Sequence, residues 1–175
     1  MDDLLNKLML LEDFDRNPEY MKLSDGERFA VEQWVKNGPG SVNVEDFRSA
    51  VVKFGKSSDT FYRGLTVMRN DPSIKVGEII KSRNVATSFT THKSRAMDFV
   101  LGARADYAVK RYGKIRCLLV ASLKSAYKIQ YWAKQAFYAS DYEYVILKET
   151  RLRTTRVEKS EKDGKEFYIV YCEEE

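Results

Sequence analysis

Apolar positions follow two different periods along the 175-residue chain. Up to about residue 56 they recur at helical spacing. Leu4, Leu5, Leu8 and Leu11 mark a first helix. Ser24-Asp25-Gly26-Glu27 has the form of a capping box, with the glutamate three residues after the serine. It opens a second helix through Phe29, Val31, Trp34 and Val35, stopped by Gly38-Pro39-Gly40. Asn43 caps a third through Phe47, Val51, Val52 and Phe54, ended by Gly55. Beyond Gly55 the pattern becomes strand-like. Strands are predicted over 60–65, 84–90, 114–123, 127–130 and 143–147. A closing hairpin pairs 152–157 with 166–171 around Asp163-Gly164. One long helix interrupts them over 92–111, with Ala96, Phe99, Val100, Ala103, Tyr107 and Ala108 at helical spacing. Helices first and then mostly strands argue for an α+β fold, with a two-sheet, mainly antiparallel core and helices outside. The length fits one domain, read as a helical cap over 1–56 and a β core over 57–175.

Bulk composition narrows the function classes. No apolar run is long enough for a membrane span, and Met1-Asp2-Asp3 is acidic where a secretory leader is basic, so a cytoplasmic protein is expected. Cys117 and Cys172 lie in apolar strand-like runs and read as buried, reduced thiols. His92 is the only histidine, so no His/Cys cluster is at hand for zinc and no metal is expected. The formal charge of +4 conceals a pattern: residues 1–60 sum to −4, residues 61–156 to +12 and residues 157–175 to −4. A basic middle suits dinucleotide phosphates, RNA or an acidic partner, or it is a solvated face with no ligand.

Three short pieces carry candidate chemistry. Phe61-Tyr62-Arg63-Gly64 places an arginine in an apolar strand. A guanidinium there needs a partner and suits bidentate phosphate contact, while glycine admits close backbone approach; an exposed edge-strand arginine is the plainer reading. Ala86-Thr87-Ser88-Phe89-Thr90-Thr91 puts small hydroxyls at a strand end, where they can hold a carboxylate or ribose, or simply cap the next helix. Asp141-Tyr142-Glu143 puts two carboxylates on one side of a strand start. They repel unless a cationic or hydroxyl-bearing ligand lies between them, and a solvated acidic turn is the alternative.

Taken in order, Arg63, Ser88-x-Thr90 and Asp141-x-Glu143 resemble the arginine–serine–glutamate class of mono-ADP-ribosyltransferases. Within that class the chain is most similar to the ModB-like host-modifying enzymes of tailed phages, through Tyr62-Arg63-Gly64, Val76-Gly77-Glu78, Ser88-Phe89-Thr90-Thr91 and Asp141-x-Glu143. The resemblance spans about residues 44–172 and implies an ADP-ribosyltransferase-like fold with NAD as substrate. It makes Glu143 the carboxylate that stabilises an oxocarbenium-like transition state, with Ser88 holding it. Arg63 and Gly64 would bind NAD together with Ser88, Phe89, Thr90 and Phe99. Phe99 either meets the nicotinamide or fills the core behind it, and packing is the favoured reading. Asp141 would orient an acceptor arginine, with Phe137 and Tyr138 in the recognition loop beside Tyr131 and Trp132. The family pattern commonly has glutamate where Asp141 stands, which shortens that side chain by one methylene.

The resemblance also implies an acceptor among host proteins of transcription or translation, ribosome- or RNA-associated ones suiting the basic middle, and it leaves NAD-capped RNA open as a second donor. A phage enzyme of this kind would work in the host cytoplasm. Two rival readings stand beside it. The chain could be an NAD glycohydrolase that passes ADP-ribose to water. It could also be a non-enzymatic basic module, or an inactive relative, that binds RNA or a host protein.

Overall fold

A computed structural model describes residues 22–129 and 143–175. The predicted first helix and residues Tyr131, Trp132, Phe137, Tyr138 and Asp141 lie outside the described residues.

Helices α1 (Asp25–Asn37) and α2 (Val44–Lys53) form where the capping signals placed them. Ser24 Oγ accepts from the Glu27 amide at 3.2 Å, and Glu27 Oε1 accepts from the Ser24 amide at 2.9 Å, closing the capping box. Gly38, at φ 79°, ends α1, and Asn43 accepts from the Asp46 amide to start α2. The helices face each other through Ala30, Val31, Trp34, Phe47, Ala50 and Val51, all buried. Glu27 reaches across from α1 to Lys53 and Ser49 on α2.

Seven strands follow: β1 (Lys56–Val67), β2 (Ile79–Lys81), β3 (Ala86–Thr90), β4 (Ile115–Lys128), β5 (Glu143–Leu147), β6 (Arg151–Lys162) and β7 (Lys165–Glu174). They run β1-β3-β5-β4-β7-β6-β2, and every pairing is antiparallel except β4 with β7. The long strands β1 and β4 also pair with each other and join the two halves of the β core. At β1 Tyr62 and at β4 Tyr127 and Lys128, these strands take up the β3–β5 pair. Period-2 alternation sorts their side chains. Cys117, Leu119, Ala121 and Leu123 point into the central cluster, while Leu118 turns the other way to meet Ala96, Met97 and Val100. Asp163 and Gly164, both at positive φ, make the two-residue turn between β6 and β7. Burial pushes the thiols of Cys117 and Cys172 up to about 12, and neither is in a disulfide.

Three elements differ from the reading of the sequence. The single helix expected over 92–111 is two, α3 (Lys93–Leu101) and α4 (Ala103–Tyr112). Gly102 is extended between them, and a Cβ there would lie 2.5 Å from the Asp98 carbonyl oxygen. Carbonyls exposed by the break are taken up by cations from the sheet: Arg116 donates to Val100 O at 2.8 Å and Lys165 to Leu101 O at 2.8 Å. The strands expected over 114–123 and 127–130 are one, because β1 pairs with β4 on both sides of an irregularity at Lys124 and Ser125. There Glu174 accepts from the Lys124 and Ser125 amides at 2.6 and 2.9 Å. The short β2 was not expected at all; it is an edge strand held by β6. Among the described residues no helix is long and apolar enough to cross a membrane.

Candidate active site

The site is built by strand parity. On β3, Ala86, Ser88 and Thr90 share one face; on β5, so do Glu143, Val145 and Leu147. The apolar members Ala86, Val145 and Leu147 pack in the cluster that includes α1 and α2. Ser88, Thr90 and Glu143 form the polar continuation of that face. The register pairs Thr90 with Glu143 and Ser88 with Val145, so Ser88 stands diagonally across from Glu143. Ser88 Oγ donates to Glu143 Oε1 at 2.5 Å. The Trp34 indole, from α1, donates to the same oxygen at 3.0 Å.

Arg63 comes from the neighbouring strand. It has the parity of Phe61, which is fully buried, so its guanidinium enters the protein and needs a partner there. Its Nη1 donates to the Ser88 carbonyl at 2.8 Å. Burial pushes the Arg63 pKa below the usual arginine value, and the charge of Glu143 pulls it back up. The partner that the structure gives this guanidinium is the backbone of the serine strand.

Gly64, next to it, admits backbone. A Cβ at this position would lie 2.0 Å from the Ala96 carbonyl oxygen and 3.0 Å from Phe99 Cβ. What approaches Gly64 is therefore helix α3, seated directly on β1. That seat fixes one wall of a cleft of about 820 Å³, lined by Arg63, Gly64, Ser88, Phe89, Thr90, Phe99 and Glu143, with Trp34, Val35, Gly38 and Pro39 from the α1 side.

The sequence-predicted residues within the described chain thus come together. Two behave differently from expectation. Phe99, favoured as core packing, is 63% exposed and stands on the cleft, because α3 turns Ala96 and Val100 inward instead. The Phe89 side chain sits in the central core at 3% exposure, although the residue lines the cleft. The Thr90 hydroxyl accepts from the His92 amide at 3.1 Å, in the turn that precedes α3.

Among the lining residues that the reading of the sequence did not assign to the site are Trp34, Arg95, Asp98 and Arg104. Trp34 read as part of an apolar helical stripe. Arg95, Asp98 and Arg104 on α3 and α4 were not singled out in the sequence, yet all three line the cleft. The available signal was spacing: Arg95 and Phe99 are i and i+4, hence on one side of α3.

No protein-family profile matches the chain, and no curated protein matches it in sequence. Solved structures do match. Vis, an ADP-ribosyltransferase toxin from Vibrio splendidus, matches in its complex with the M6 inhibitor at TM-score 0.66 and 18% identity, over 97% of this chain and 84% of that one. Its complex with agmatine matches at TM-score 0.55 and 16% identity, over 97% and 74%. Exoenzyme S from Pseudomonas aeruginosa, in complex with human 14-3-3 protein beta and bound to carba-NAD, matches at TM-score 0.55 and 13% identity, over 97% and 88%. The chain has the α+β fold of the ADP-ribosyltransferase toxins.

Proposed function

We propose that this chain is an NAD-dependent mono-ADP-ribosyltransferase that modifies arginine on a host protein. The observation that carries the reading is the Ser88–Glu143 hydrogen bond beside the half-buried Arg63, in one cleft of this fold. The agmatine complex of Vis and the carba-NAD complex of exoenzyme S support it by likeness of fold. Agmatine is a small guanidine, which supports an arginine acceptor.

In this reading the glycosidic bond between ribose C1′ and the nicotinamide nitrogen breaks, and its electron pair leaves with nicotinamide. The ribose becomes oxocarbenium-like. Glu143 stabilises that charge from beside C1′ and the 2′-hydroxyl, with most effect in a preorganised site. Ser88 is a positioning residue that fixes the carboxylate. Arg63 serves the ribose–phosphate side and holds the serine strand in place. Arg95 and Arg104 supply further positive charge along the same wall for the diphosphate. Gly64 and Phe89 shape the cleft, while Thr90 and Phe99 lie on the nicotinamide side. A guanidino nitrogen of the acceptor then bonds to C1′ and loses a proton to Asp141, with Phe137 and Tyr138 framing the acceptor. The chain is one catalytic domain, with its helical part over 1–56 and its β core over 57–175. Host transcription or translation proteins, reached in the host cytoplasm, are the proposed targets, as for ModB-like phage enzymes. NAD-capped RNA would present the same reacting group as a second donor.

The test is incubation with labelled NAD and a bacterial lysate, beside Glu143→Gln. The expected result is discrete labelled bands with the wild type, suppressed by agmatine, and none with the variant. Free ADP-ribose without labelled protein would make the chain a glycohydrolase. No NAD consumption at all would leave a binding module.

A further inference from the structure

Trp34 belongs to a helix that the sequence presents as packing, 109 residues away from the carboxylate it touches. Its ring is 6% exposed and stacked on Phe47 of α2, with centroids 4.6 Å apart and planes at 23°. Phe47 is itself fully buried. The stack therefore restrains the indole plane, and within it the indole N–H is aimed at Glu143 Oε1.

Ser88 Oγ already donates to that oxygen, from the opposite element. One hydrogen bond leaves a carboxylate free to swing about it; two donors from different directions on one oxygen remove that freedom. A serine hydroxyl also rotates about its Cα–Cβ bond, whereas the indole donor is rigid. Both donors are neutral, so they orient the carboxylate without cancelling the charge that catalysis needs. The helix is anchored to match: Glu27 of α1 is bonded to Lys53 at 2.7 Å and Ser49 at 3.0 Å on α2.

We infer that Trp34 is a positioning residue for Glu143, and that helices α1 and α2 are thereby a working part of the active site. The catalytic consequence rests on the NAD-transfer reading; the hydrogen bond itself does not. Trp34→Phe keeps a ring for the Phe47 stack and removes only the donor. Nicotinamide release by this variant should fall roughly tenfold in kcat, the effect of one lost bond to a charged group, with KM for NAD within about twofold of wild type. The second measurement needs no turnover. The indole N–H resonance of Trp34, identified by its loss in Trp34→Phe, should move upfield in Glu143→Gln, because a bond to a neutral amide is weaker than one to a carboxylate.

An indole resonance that is unchanged in Glu143→Gln, or a folded Trp34→Phe with wild-type kcat, would overturn the inference. If the wild type does not turn over NAD, the function reading fails, and the resonance alone still decides whether the indole holds the carboxylate.

Discussion

Glu27 and Glu143 are both carboxylates held by side-chain hydrogen bonds, and they are built for opposite ends. Glu27 lies at the α1–α2 joint and takes bonds from the Lys53 ammonium, the Ser24 amide and the Ser49 hydroxyl. Its charge is matched by a cation at 2.7 Å. Glu143 lines the cleft, and the donors that reach it from Ser88 and Trp34 are a hydroxyl and an indole. A cation in direct contact makes a carboxylate structural, because its charge is already answered. The Ser88 and Trp34 donors fix the direction of Glu143 without themselves adding charge, and the Arg63 guanidinium is near enough to feel the carboxylate. Glu27 is bonded to an ammonium inside the helix pair, while Glu143 stands in the cleft with a hydroxyl and an indole among its donors.

That contrast can be broken from the frame inward. Gly64→Ala should have the largest effect, since its Cβ would collide with the Ala96 carbonyl and α3 must shift as backbone. A destabilisation of about 3 kcal/mol by denaturant unfolding is expected, with loss of NAD turnover in the fraction that folds. Ser88→Ala tests the neutral grip directly. Nicotinamide release should fall roughly thirtyfold at nearly unchanged stability, since a bond to a charged group is removed. An unchanged rate would remove Ser88 from the site.

Acid sharpens the other side of the comparison. Burial pushes the Glu27 pKa up, but hydrogen bonds from Lys53, Ser24 and Ser49 outweigh it, and the net result is about 2 instead of 4.5. A carboxylate whose folded pKa is depressed adds stability above its unfolded pKa and loses it as pH falls. Its contribution should be full above about pH 4.5 and disappear toward pH 2. In Glu27→Gln the part of the acid-unfolding curve that falls in this window should flatten.

The sequence made local structure legible where the signal was itself local. Ser24 with Glu27, Asn43, and Asp163-Gly164 each encode a cap or turn within a few residues, and each forms as read. Ser88 and Glu143 were legible as a pair through the resemblance, and strand parity explains why they meet. What remained hidden depends on partners far along the chain. The helix break at Gly102 is completed by Arg116 and Lys165, and β4 runs on because β1 matches it. Phe99 looked like core because helical spacing marks a stripe without saying which side of it faces protein. Trp34 was hidden for the same reason: an indole in an apolar stripe reads as packing, and its N–H shows its use only once a carboxylate is placed beside it.

The most direct measurement sets Glu143→Gln beside Glu27→Gln, recording nicotinamide release and unfolding free energy for both. Glu143→Gln should lose about a thousandfold in rate and keep its stability, since preorganised charge is removed without a packing change. Glu27→Gln should lose about 2 kcal/mol of stability and, while folded, lose far less in rate than Glu143→Gln, since it acts only through the helix that carries Trp34. If Glu143→Gln releases nicotinamide as fast as the wild type, the cleft carboxylate is not catalytic and the account is wrong.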